Sequence, residues 1–317
     1  MSNPTTVDPL RPKAFDEGPH VPESTPLWNE SWYFDFVDPD QRIGGWVRLG
    51  LMPNESVAWI TAVVSGPHIP TIALLDFEAG LPANPVRVQT DRIELQLAAV
   101  KPLQEYRVAV RGLGEAWSDP SGLLRGEAAG ENGIELSMDL AWTTVGIPYQ
   151  YRLTPRYEIP CTVSGSVTYG DSAIKLDAVP GQRDHSWGVR DWWGGLEWMW
   201  CALHLDDGSH LHAVDARVPG APNMAIGYIQ ERASKLVELQ TISVQEEFDD
   251  SGLPVAATIS FDPDGVVSRV EVGGHAPIRL VSSDGQVSHF PRAWVTVTTT
   301  DGRKGVGWIE WNRVQSA

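Results

Sequence analysis

Apolar and polar positions alternate with a period of two along most of the chain, in short runs broken by Gly, Asp, Asn and Pro. This is the pattern of half-buried β-strands. In the first half it marks ESWYFDFVD (30–38), GGWVRLGLM (44–52), SVAWITAVV (56–64), TIALLDF (71–77), DRIELQLAAV (91–100), EYRVAVRGL (105–113) and IELSMDLAW (134–142). In the second it marks VSGSVTYG (163–170), EWMWCALHL (197–205), SHLHAVDARV (209–218), AATISF (256–261), SRVEV (268–272), AWVTVTTT (293–300) and GVGWIEW (305–311). β-Branched and aromatic residues dominate these runs, as suits a pleated surface. Asp-Gly pairs at 207–208, 264–265, 284–285 and 301–302 supply hairpin turns. One weak helix-compatible stretch lies near Asp249. The pattern predicts an antiparallel all-β protein of barrels or sandwiches.

The segment 31–53 can be laid over 197–218 with a one-residue gap. Each reads as an aromatic strand, an Asp-rich turn and a second strand bearing Arg, as expected of two related β units in tandem. The proline-bearing stretch 147–155 marks the junction. The expected organisation is an N-terminal arm (1–25), mobile or draped over the surface, a first barrel (26–150) and a second barrel (151–317).

Composition narrows the function classes. A formal net charge of −17, without basic clusters, argues against nucleic acid and anionic membranes as partners. No run approaches the about 18 apolar residues of a membrane helix, and residues 1–18 lack the apolar core of a secretory signal. The two cysteines, Cys161 and Cys201, sit in strand-like runs without metal-site spacing and read as buried free thiols of a cytoplasmic protein.

Chemistry concentrates in Gly181–Trp200, GQRDHSWGVRDWWGGLEWMW, which holds five of the 14 tryptophans. Indole faces make an apolar, π-rich wall, and charged groups set into such a wall need partners or a task. With Asp207-Gly208 as a two-residue turn, 204 opposes 211, 202 opposes 213 and 200 opposes 215. One hairpin face then carries Trp198, Trp200, Ala202 and His204 opposite Leu211, Ala213 and Asp215. A carboxyl held dry against Trp200 has a raised pKa and serves as a proton donor. The competing reading pairs Asp215 with Arg217 or Arg183, and a one-residue register slip would turn it away from Trp200. Extended geometry aligns Arg183, His185 and Trp187 and leaves Asp184 and Ser186 on the other side. His185 beside Trp187 reads as a general base or as a residue positioning water. His204, Arg183, Trp192, Trp198 and Trp200 are the candidate substrate-binding residues. His210 and His212 share a face, but this register sends His204 to the other one, so no three-ligand metal set forms. Gly44-Gly45, Gly194-Gly195 and Gly273-Gly274 read as turns without the helix of a phosphate-binding loop.

The block Gly181-Gln182-Arg183-Asp184-His185-Ser186-Trp187-Gly188-Val189-Arg190 resembles the signature of the hydroxyneurosporene synthase-like (carotenoid 1,2-hydratase) and AttH-like proteins. The following tryptophan-rich strand, Val214-Asp215-Ala216-Arg217 and Gly305-Val306-Gly307-Trp308-Ile309-Glu310 extend the likeness. The resemblance implies two tandem lipocalin-like antiparallel β-barrels. It further implies a cofactor-independent lyase that adds water to an isoprenoid-like or other hydrophobic alkene, or removes it from a tertiary alcohol, with no metal. His185, Trp187 and Asp215 are the matching catalytic positions. The tyrosine that accompanies the acid in those hydratases has no equivalent on the hairpin, where Ala213 and His212 stand. Two other functions fit the same sequence: an isomerase or cyclase of a hydrophobic metabolite, and a carrier of an apolar small molecule.

Overall fold

A computed structural model of the chain describes residues 8–232 and 235–314. Four consecutive hairpin-linked strands, Trp28–Asp38, Ile43–Met52, Val57–Gly66 and Ile69–Gly80, open the first sheet. Arg87–Gln89, Ile93–Lys101, Glu105–Trp117, Glu131–Thr144, Tyr149–Gln150, Arg156–Tyr169 and Ser172–Val189 complete it, and the last pairs back onto Trp28–Asp38. Pairing of Thr71–Ala73 with Glu115–Trp117 closes it into a barrel. The second sheet repeats this order. Glu197–Leu205 is flanked by its hairpin partner His210–Arg217 and by the final strand Lys304–Val314, as Trp28–Asp38 is flanked in the first. The faint repeat thus corresponds to the opening hairpin of each unit, and the chain is two tandem lipocalin-like antiparallel β-barrels.

The expected break at residue 150 is corrected by the pairing. Arg156–Tyr169 adds directly to Glu131–Thr144, so the prolines around 147–155 mark a crossing within the first sheet. The change of sheet falls between Val189 and Glu197, and the GQRDHSWGVR block is the last strand of the first barrel. The stretch before Asp249 is the strand Thr241–Phe248, and the α-helix is a short turn at Ser121–Arg125.

Three cores result. Trp32, Phe34, Leu49, Leu95, Tyr106 and Trp142 help fill the first barrel, and Met199, Cys201, Leu203, Ile259, Val295 and Trp311 the second. The third core joins the barrels' outer faces and contains Tyr33, Trp46, Trp200, Trp294 and Trp308. Trp308 and Trp294 donate their indole N–H groups across it, to the carbonyls of Phe36 and Ser65, each at 3.1 Å. Gly44 and Gly273 lie within strands rather than turns, and the Trp294 ring needs the space they leave: a Cβ on Gly273 would meet it at 2.1 Å.

Candidate functional site

Side chains on one face of a sheet form rows across its strands. On the first barrel's outer face one row runs Thr61, Arg48, Tyr33, Asp184 and Glu158, each paired in register with the next. This face meets the second barrel's Trp198 and Trp200, and a cavity of about 330 Å³ lies between them. Trp46, Trp192, Trp198, Trp200 and Phe290 are among its apolar walls, while Arg48, Tyr33 and Asp184 supply polar groups.

Arg156 is shared by two carboxylates. Its Nε donates to Glu158 Oε1 at 2.8 Å and its Nη2 to Asp184 Oδ2 at 2.7 Å. Glu158 is fully buried, and that alone opposes its charge. Arg156, His212, the Gln182 amide and the Trp200 indole N–H outweigh burial and hold its pKa below the usual value. Asp184 is 5% exposed. Burial pushes its pKa up to about 8, against the attraction of Arg156 and with the Glu158 charge adding to the rise. The environment therefore separates two neighbouring carboxyls, one ionised and one protonated at neutral pH. Tyr151 places its hydroxyl 3.0 Å from Glu158 Oε1 and 2.7 Å from His212 Nε2. His212 Nδ1 lies 2.9 Å from the Cys201 carbonyl, which fixes the proton there, and burial lowers the ring's pKa, leaving Nε2 as an acceptor. Arg292 forms an ion pair with Glu310, and its guanidinium lies 4.6 Å from the ring centroids of both Tyr33 and Trp46.

Trp192, Trp198 and Trp200 line this cavity; the other five sequence candidates do not. The 205–209 loop explains Asp215. Gly208 adopts φ 81°, its N–H bonds to the Leu205 carbonyl, and Leu205 N–H bonds to Ser209, which makes a three-residue loop instead of the expected two. The register shifts by one: Trp200 opposes Val214, and Asp215 opposes Met199. Asp215 consequently turns away from the indoles, ion-pairs with Arg217 at 2.8 Å and accepts from Asn223 at 3.0 Å. The same shift places His204 beside His210, with their Nδ1 atoms 3.0 Å apart.

Arg183, His185 and Trp187 do share a face, but it looks into the first barrel, where the N-terminal arm covers them. Part of that arm is inserted, not draped: in the 3-10 helix Ala14–Glu17, Glu17 is 2% exposed and bonds Arg183 at 2.7 Å. His185 Nδ1 donates to the Asp16 carbonyl at 2.7 Å, and its Nε2 lies 3.0 Å from Glu30 Oε1. His20 Nδ1 meets the same oxygen at 2.8 Å, and its ring stacks on Trp187 at 3.8 Å. Burial opposes the charge of Glu30, yet the bonds from His185 and His20 keep its pKa low. His20, Glu30 and His185 are close enough to hold a metal ion; as they stand they bond to one another and pin the arm. Sequence reasoning missed Asp184, Arg156, Glu158 and Tyr151. Alternation along the signature strand did place Asp184 opposite His185, and that was the available signal.

The fold and the site define a tandem-barrel protein with an acid-bearing cavity between its barrels. The chain belongs to the DUF7064 family, a domain of unknown function, which matches residues 13–315. No curated protein matches it. Its structure is similar to that of a candidate AttH protein (NE1406) from Nitrosomonas europaea, with a TM-score of 0.64 and 16% identity over 98% of both chains. Kievitone hydratase from Nectria haematococca superposes with a TM-score of 0.61 and 12% identity, covering 97% of this chain and 94% of the other. CghA, solved with Sch210972, gives 0.56 and 10%, covering 95% and 94%. The AttH-like fold expected from the signature strand is therefore present. Among the described residues no helix is long and apolar enough to cross a membrane.

Proposed function

We propose that the chain is a cofactor-independent hydratase or dehydratase of a hydrophobic alkene or tertiary alcohol, working in the cavity between the barrels. One observation carries this reading: a buried carboxyl, Asp184, on the wall of an apolar, tryptophan-lined cavity, with its pKa raised to about 8. The similarity to a kievitone hydratase fold supports the reading.

In the hydration direction the Asp184 O–H proton passes to one alkene carbon and the π pair forms the new C–H bond. The carboxylate left behind is stabilised by Arg156. The cation faces the indoles of Trp46 and Trp200, a contact worth on the order of 2 kcal/mol when desolvated. Water adds to the cation, and its proton leaves through Tyr151 to the free Nε2 of His212. Dehydration is the reverse.

The test is incubation with a panel of prenylated and terpenoid alkenes in isotopically labelled water, followed by mass spectrometry. Gain of one labelled water by a substrate with the parent protein and not with Asp184→Asn supports the reading. Binding without conversion by either protein would make the chain a carrier.

A further inference from the structure

The cavity's charges do not cancel. Arg156 is matched by Glu158, and Arg292 by Glu310. Arg190, also on the cavity wall, donates to the Val189 carbonyl at 3.1 Å, and among the described residues no carboxylate lies within ion-pair distance of it. Asp184 holds its proton. Arg48 is unpaired too: among the described residues no carboxylate lies within ion-pair distance of it, although the chain has 41 acidic residues against 24 basic ones. Its guanidinium lies 5.8 Å from the Trp192 ring centroid. Room for it is built in, because a Cβ at Gly50 would meet Arg48 Nη1 at 2.7 Å. Arg48 is half-buried, and burial lowers its pKa to about 10, so an anion in the cavity would relieve an unfavourable charge.

We propose that the cavity takes an amphipathic organic acid, an apolar chain ending in a carboxylate, with Arg48 as the receptor for the acid group. The proposal rests on the interbarrel cavity being the ligand site. A single carboxylate fits the fork of one guanidinium, and Arg48 is the unpaired one that shares a row with Asp184, whereas Arg190 already donates to the Val189 carbonyl. Arg48 and Asp184 are two strands apart in the same row, roughly 10 Å. The reacting double bond therefore stands several carbons from the acid group.

Farnesoic acid and farnesol, an acid and an alcohol on the same isoprenoid chain, test this through quenching of the cavity tryptophans at neutral pH. The acid is expected to bind about tenfold or more tightly than the alcohol, as a charged hydrogen bond in a dry site would give. In Arg48→Gln the two should bind alike, with farnesol affinity unchanged, and Arg48→Lys should keep part of the preference. Equal affinities in the parent, or a preference that survives Arg48→Gln, would overturn the proposal while leaving the hydratase reading intact. Failure of both probes to bind the parent would overturn it together with the cavity as ligand site.

Discussion

Asp184→Asn separates a protonated acid from an ordinary ion pair by its effect on stability as well as on turnover. The amide is nearly isosteric with a protonated carboxyl and can still accept from Arg156 Nη2, so the fold should tolerate it at pH 7. The parent should respond differently to alkali. Asp184 has a folded pKa of about 8 against an ordinary 3.8. A raised carboxyl stabilises the folded state where it is protonated, and that contribution fades as pH rises through the folded value. Between pH 7 and pH 9 the unfolded state is already ionised while the folded state loses most of one proton, so about 1.4 kcal/mol of stability should disappear. Asp35, which burial pushes up to about 7, titrates in both proteins and cancels from the comparison. Urea unfolding at the two pH values in parent and variant gives the double difference directly. A value near zero would mean that Asp184 does not titrate between pH 7 and pH 9, and the raised pKa near 8 on which the acid mechanism rests would be refuted.

Other consequences are equally open to measurement. Asp215→Asn should leave turnover of any identified substrate within about twofold of the parent, because the residue is tied to Arg217 outside the cavity; a loss of a hundredfold would restore it as the acid. Glu17→Ala strands the buried Arg183 guanidinium and should cost about 3–5 kcal/mol in denaturant unfolding. Gly273→Ala drives a methyl into the Trp294 ring and should destabilise the joint between the barrels by about 1–3 kcal/mol or more, read as a lower thermal midpoint.

The strands, the two-barrel repeat and the tryptophan walls were legible because period-two alternation and β-branched runs are local signals. The site was less legible because register is not. Asp206-Asp207-Gly208 takes a type of loop that an Asp-Gly pair alone does not specify, and one residue of slip moved Asp215 from the indole face to a different face. The glycine pairs at 44 and 273 looked like turns because the ring that requires them, Trp294, is distant in sequence. Likewise the arm that buries His185 begins far from it in the chain, so a histidine beside a tryptophan looked catalytic when it is enclosed by Asp16 and Glu30. Alternation within Arg183–Trp187 did separate the two faces correctly; which of them met a cavity depended on the second barrel.

A crystal structure with a bound substrate or product decides whether Asp184 in the cavity between the barrels is the acid. Ligand density is expected between the barrels, against Trp46 and Trp200, with a reacting carbon in contact with the Asp184 carboxyl. Density inside either barrel, or beside Asp215 and Arg217, would contradict it.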